Sequence, residues 1–303
     1  RRPRASGDPA MRDRGADAFT ATQRRTEPAL VHLDTIFLRR YAPLVRGRFV
    51  LKGAMLFSLW TGQQHRPTRD LDLAGRGDSS AAELISLFRS LCIQPVLPDG
   101  LMFNVDSVNV VEIREGQEYP GQRVQMVAYL GTARVHLQID IGFGDAVTPG
   151  PVDAQYPTLL DFPAPQLRVY PRETVIAEKL QAMVSLGIAN SRMKDFYDIW
   201  FMARTFHFEG QSLVDAIRAT FERRRTDIPT EPPLALTRVF TSHPDKVRQW
   251  QAFLSRNEVG LRGMAFEEII DNLRSFLLPP LIAASTDSLY PATWSTVDGW
   301  REQ

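Results

Sequence analysis

The chain has 303 residues, 44% of them hydrophobic and 23% charged, with a formal net charge of +1. That length and balance suit one large globular domain or two modest ones with a real core, and exclude a disordered chain or a protein that binds duplexes by bulk positive charge. No apolar run approaches the roughly 18 residues that span a bilayer, and with Cys92 as the only cysteine no internal disulfide forms, so a cytoplasmic protein with no membrane association is expected.

Residues 1–27 hold seven arginines against four acids and few large apolar side chains. They read as a weakly ordered lead-in, without an apolar secretory segment. From Glu27 to Tyr41 the apolar residues Leu30, Leu33, Ile36, Phe37 and Tyr41 recur at helical spacing. Phe49-Val50-Leu51 predicts a short strand, followed by Lys52-Gly53-Ala54 and a helix over Met55–Trp60 that stops at Gly62. In Asp70-Leu71-Asp72-Leu73 the alternation predicts a strand with two carboxylates on one face and two leucines on the other. Ser79 or Ser80 caps the next helix, whose buried face is Leu84, Leu87, Phe88 and Leu91. Cys92 falls in that apolar pattern and reads as a buried structural thiol.

Three strands are predicted within 101–142, joined by short connections that favour antiparallel neighbours. In the last of them Val135, Leu137, Ile139 and Ile141 face one way, and Arg134, His136, Gln138 and Asp140 the other. Pro149–Pro171 is Pro-rich and reads as an irregular connection. Helices are predicted at 173–187, 193–206, 212–224, 244–257 and 265–277, with Pro279-Pro280 closing the last. Arg223-Arg224-Arg225, like the basic lead-in, reads as a solvated face or tail, with an RNA contact as the alternative. Residues 281–303 form a tail, loosely held from 285 onward.

Two carboxylates two residues apart on a strand lie close together, and like charges that close need a cation between them. Mg²⁺ suits such a pair, because it takes one or two protein carboxylates plus phosphate oxygens. A lone Asp-x-Asp occurs on many surface strands, so the neighbours matter. Lys52-Gly53 precedes a helix start, where backbone N–H groups can hold phosphate, although a glycine there also makes a plain tight turn. Asp140, on the polar face of an apolar strand, is a candidate third acid; the alternative is an Asp satisfied by loop N–H groups. Lys179 lies mid-helix among Val175, Ile176 and Leu180, where it either snorkels or reaches triphosphate oxygens. Asp195 and Asp198 lie one turn apart near the next helix start. They favour the helix dipole there, or Asp195 pairs with Lys179 across the hairpin.

The string Phe49-Val50-Leu51-Lys52-Gly53-Ala54 with Arg66-Pro67-Thr68-Arg69-Asp70-Leu71-Asp72-Leu73 resembles the first motif of the AbiEii/AbiGii toxin nucleotidyltransferases, in the DNA polymerase β-like superfamily. Ala177-Glu178-Lys179 with Arg192-Met193-Lys194-Asp195-Phe196-Tyr197-Asp198 resembles their later motif. The resemblance spans about residues 30–280. It implies an α+β fold, a nucleotidyltransferase-like mixed sheet with helices followed by a mostly helical C-terminal domain. The expected division is a lead-in over 1–27, a nucleotidyltransferase core over 28–150, a helical domain over 151–280 completing the cleft, and a tail over 281–303.

The resemblance further implies transfer of a nucleoside monophosphate from an NTP, with Mg²⁺ or Mn²⁺, to the 3′ end of tRNA. The setting it implies is an AbiE-type toxin–antitoxin system with an AbiEi-type antitoxin as partner. By the same resemblance Asp70, Asp72, Lys179 and Asp195 are the catalytic set and Asp70 and Asp72 the metal-binding acids, to which the strand pattern adds Asp140 as the candidate third metal ligand. Lys52, Gly53, Arg66 and Thr68 stand at the nucleotide, and Thr68 matches a Ser/Thr position that antitoxin-driven phosphorylation targets in some relatives. Ala54 stands where many relatives have Gly or Ser, which bears on how closely a triphosphate approaches. A small-molecule or protein acceptor, or a non-catalytic binding module, are the rival readings.

Overall fold

The computed structural model describes residues 38–42, 47–63, 66, 68, 70–113, 121–158, 162–257 and 264–302. The lead-in, and the helix expected from Glu27 as far as Phe37, lie outside them; residues 38–42 are helical, and Leu38 and Tyr41 are buried in the core.

Seven strands form one mixed sheet in the order β3-β4-β5-β2-β1-β7-β6. β1 (Phe49–Lys52) is an apolar run, buried at Phe49, Val50 and Leu51 because it lies between β2 (Leu71–Gly75) and β7 (Gln166–Val169). Helix α1 (Met55–Thr61) returns the chain from β1 to an antiparallel β2. It stops at Gly62, whose left-handed φ of 71° lets its N–H reach the Ser58 carbonyl at 3.0 Å. In β2, Leu71 and Leu73 are buried and Asp72 is half-buried on the other face, as the alternation requires.

Helix α2 (Ala81–Cys92) is capped by the Ser80 side chain, which accepts from the Glu83 N–H at 3.4 Å, and buries Leu84, Phe88 and Leu91. Cys92 is buried with them, and burial pushes its thiol pKa up to about 11, so it is an inert core group. Strands β3 (Leu101–Ile113), β4 (Gly121–Leu130) and β5 (Ala133–Phe143) form the expected antiparallel meander. β5 then pairs parallel to β2, a crossover pairing that no local pattern announces.

The segment expected to be an irregular connection carries two strands, β6 (Val152–Gln155) and β7, which pair with each other and extend the sheet beside β1. Both are four residues long: β6 is mostly exposed at the sheet edge, and β7 alternates buried Leu167 and Val169 with Gln166 and Arg168 over too short a run to stand out in a Pro-rich segment. Helices α3 (Arg172–Leu186), α4 (Met193–Thr205), α5 (Gly210–Arg223), α6 (Arg238–Thr241), α7 (Pro244–Asn257) and α8 (Phe266–Ser285) follow. Their buried residues, such as Ile176, Phe196, Ile217 and Leu273, join the sheet's Leu51 and Ile139 in one hydrophobic core. Among the described residues no helix is long and apolar enough to cross a membrane.

Two expectations about the C-terminal end are corrected. Helix α8 runs through Pro279 and Pro280 to Ser285 instead of ending there. Pro280 has no N–H for the Phe276 carbonyl four residues back, and the Trp300 indole N–H donates to that oxygen instead, at 2.9 Å. Residues 292–302 are not a loose tail. β9 (Ala292–Ser295) and β10 (Gly299–Glu302) form a hairpin, and β9 pairs with β8 (Phe208–Glu209). The Trp294 indole N–H donates to the Ala203 carbonyl at 2.6 Å, and the Trp300 ring stacks on Phe276. Trp300→Phe keeps most of the packing but orphans the Phe276 carbonyl, which is expected to lower stability by about 1–3 kcal/mol. A denaturant midpoint indistinguishable from wild type would show that the proline gap is otherwise satisfied.

Candidate active site

Sheet register sets the acids. Across β1 and β2 Lys52 is opposite Asp72, and across β2 and β5 Asp72 is opposite Asp140. Asp70 lies just before β2, and its Oδ1 accepts from Gln138 Nε2 at 2.8 Å. Burial raises the Asp72 pKa to about 6; Lys52 and Lys194 pull it down, and Asp140 and Asp70 push it up. Asp140 is not an open carboxylate: Arg123, its neighbour across β4, donates Nε and Nη2 to its two oxygens at 2.8 and 2.7 Å.

Gly53 connects β1 to α1 with a φ of +78°, and a Cβ there would overlap the Asp72 carboxylate. The glycine is therefore needed twice, for the left-handed backbone and for the close approach of Asp72. Gly53→Ala is expected to lose about 1–2 kcal/mol from the backbone alone, more from the overlap, and to displace Asp72. A variant with wild-type melting temperature would contradict this geometry. Ala54 adopts ordinary right-handed helical angles, φ −69° and ψ −23°, so its methyl strains nothing in the backbone.

Facing the acids is the α3–α4 hairpin. Lys179 Nζ donates to Asp195 Oδ1 at 2.6 Å and to Asp198 Oδ2 at 2.9 Å. Asp198, with no exposed side-chain surface, also accepts from Arg66 Nε and Nη2 at 2.9 and 3.0 Å. Arg192 Nε lies 2.9 Å from Asp195 Oδ2. The chain of charges thus runs Arg66, Asp198, Lys179, Asp195, Arg192. Burial opposes the Lys179 charge, but Asp195 and Asp198 outweigh it and hold its pKa above the ordinary lysine value. The pairing of Asp195 with Lys179 across the hairpin is thus the geometry observed.

A cavity of about 160 Å³ is lined by Lys52, Gly53, Arg66, Asp72, Lys179, Lys194 and Asp195, among others. Asp70 is not in its lining; it stands two residues before Asp72, and the Thr68 hydroxyl donates to its carbonyl at 3.3 Å. Lys52, expected at phosphate, gives its ammonium to Asp145 at 2.7 Å and lies 3.8 Å from Glu178. Burial would lower its pKa, but Glu178 and Asp145 raise it further.

Sequence reasoning missed several members of this cleft. Arg224 does not sit on a solvated face: it lines the cavity, 3.2 Å from Asp145 and 3.4 Å from Glu178, and donates to Gln181 at 2.9 Å. Arg223 beside it donates to the Gly144 carbonyl. These contacts span 79 residues to the turn after β5, and nothing local in sequence marks them. Asp198 was visible as a helix-start acid but not as the bridge between two cations.

Among the described residues no three Asp, Glu, His or Cys side chains gather as a metal cluster. The acids fit a divalent ion in the smaller way: Asp72 is enclosed, disfavoured as an isolated charge by burial and by Asp140 and Asp70, and so suited to a cation.

Residues 36–272 match the family described as "Nucleotidyl transferase AbiEii toxin, Type IV TA system". The chain belongs to the AbiEii family of nucleotidyltransferase toxins. Among solved structures it is similar to JHP933 from Helicobacter pylori, at 15% identity and a TM-score of 0.49 over 86% of this chain and 93% of that one. It is also similar to a candidate nucleotidyltransferase from H. pylori, at 16% identity and a TM-score of 0.46 over 86% and 96%. No curated protein matches the chain.

Proposed function

We propose that the chain transfers a nucleoside monophosphate from an NTP to the 3′ end of tRNA, as the toxin of an AbiE-type system held by an AbiEi-type antitoxin in the cytoplasm. The observation that carries this reading is that Asp72, Gly53, Lys179 and Asp195, from two distant motifs, line one cavity.

Asp70 and Asp72 would hold Mg²⁺ or Mn²⁺, which when bound neutralises phosphate charge and lowers the pKa of the acceptor hydroxyl. Asp140 is the third acid of this reading only once Arg123 releases it. Gly53 lets the triphosphate approach the backbone before α1. Lys179 meets negative charge developing on the leaving pyrophosphate, and Asp195 and Asp198 fix where its ammonium points. Arg66, tied to Asp198, adds a second cation on that side, and Lys52 acts at the phosphates from its anchorage on Asp145. A bond forms from the acceptor hydroxyl oxygen to the α-phosphorus, the bridging bond to the β-phosphate breaks, and the hydroxyl proton passes to solvent. Phosphate on Thr68 would bring negative charge against Asp70 and repel the substrate.

The test is incubation of the purified protein with labelled NTPs, Mg²⁺ and total tRNA. Wild type is expected to label RNA and Asp70→Ala is not. Equal labelling by both defeats the reading, and label on protein or metabolites with clean RNA replaces the acceptor.

A further inference from the structure

A second cavity, of about 540 Å³, adjoins the first and shares Arg66, Arg192 and Lys194 with it. Its other wall is α7, which contributes Gln249, Phe253 and Arg256. Among the described residues no Asp or Glu lines this cavity, while four of its side chains are cationic. In a chain of net charge +1, that is a local concentration of one sign.

The four cations are not equivalent. Arg66 and Arg192 are already paired with Asp198 and Asp195. Lys194 and Arg256 are exposed and have no ion pair or hydrogen bond among the described residues. Lys194 stands at the junction of the two cavities, close enough for its charge to act on Asp72. Arg256 marks the outer end, on the last turn of α7. The same lining includes half-buried Phe253, one side of which stacks on Trp250, and Gln249, whose Oε1 accepts from Lys246 Nζ at 3.1 Å and whose amide NH₂ is the group left to offer.

We propose that this groove is the track along which the phosphodiester backbone of an RNA acceptor reaches the Asp72 cleft. The inference rests on nucleotidyl transfer at that cleft. The triphosphate of a nucleotide has its own cations in the first cavity. Lys194 at the junction and Arg256 beyond it, both without an ion pair among the described residues, lead to the same acids and suit a ligand that repeats its negative charge along a strand. The ring and the amide suit a base or ribose lying between phosphates. A small-molecule acceptor would need neither Arg256 nor α7, and a protein acceptor gives no reason for a lining without acids among the described residues.

The test uses the full chain and fluorescently labelled unfractionated tRNA, with affinity read by anisotropy across a salt series, and Mg–ATP affinity read by calorimetry. Arg256→Glu is expected to weaken RNA binding about tenfold and to lower the slope of log affinity against log salt by about one. Mg–ATP affinity stays as in wild type. Lys194→Glu weakens RNA binding as well. Arg89→Glu, the same charge change at an exposed position on α2, leaves it nearly unchanged. The proposal is overturned if wild type binds no RNA, if Arg256→Glu binds it as wild type does, or if Arg89→Glu weakens it equally. It is also overturned if Arg256→Glu loses Mg–ATP affinity in step, because the groove is then a triphosphate seat. RNA binding that depends on Arg256, without any nucleotide transfer, leaves the groove standing and removes the reaction.

Discussion

Asp72→Asn is expected to reduce nucleotidyl transfer by roughly a thousandfold, the equivalent of about 4 kcal/mol of transition-state charge stabilisation. Asn keeps the shape of the side chain beside Gly53 and opposite Asp140, but gives a divalent ion no charge to bind. The melting temperature should therefore stay within about 2–4 °C of wild type, the shift that about 1 kcal/mol produces in a chain of this class. The two readouts together separate a lost site from a lost fold. Transfer that survives at more than a tenth of the wild-type rate would mean that Asp72 is a structural acid.

Asp198→Ala is the second large effect, and it falls first on stability. Asp198 is completely buried and binds Arg66 through both oxygens and Lys179 through one. Removing one partner of a buried ion pair leaves the other charge uncompensated, typically a loss of about 3–5 kcal/mol. Lys179 retains Asp195, whereas Arg66 loses its bidentate partner, so Arg66 is the group expected to move. Denaturant unfolding should show the loss as a lower midpoint with an unchanged slope. Asp198→Asn keeps the hydrogen-bonding shape and should fall between Ala and wild type. If Asp198→Ala costs less than about 1 kcal/mol, the value of a surface ion pair, water reaches this ladder and it is not a buried support.

Much of the frame was legible because it rests on short-range patterns. The alternation in β5 sends Leu137, Ile139 and Ile141 inward and Asp140 to the other face, and the same rule puts Asp72 on the face opposite the buried Leu71 and Leu73 in β2, with Asp70 just before the strand. Helix ends followed their local chemistry at Ser80 and Gly62. The parallel pairing of β2 with β5 was not legible, since a strand's sequence names its buried face and not its neighbour. Val152–Gln155 carries no strand pattern because an edge strand need bury little. Pro279-Pro280 misled for a specific reason: a helix survives its prolines when a distant donor, here Trp300, takes up a freed carbonyl.

At the site, what could be read was each acid and cation as a candidate; what could not be read was which of them neutralise one another. Lys52 with Asp145, Asp140 with Arg123, and Asp198 with Arg66 are all long-range pairs. Among the described residues the cation of the Asp72 cavity without an ion pair is Lys194, which lines it together with the expected Lys179.

The most direct measurement compares an NTP labelled at the α-phosphate with one labelled at the γ-phosphate, each incubated with wild-type protein, Mg²⁺ and tRNA. The account predicts that α-label enters RNA and γ-label leaves as pyrophosphate, and that both events vanish with Asp72→Asn. Transfer of γ-label to any acceptor, or release of α-label as free nucleotide without incorporation, would contradict it.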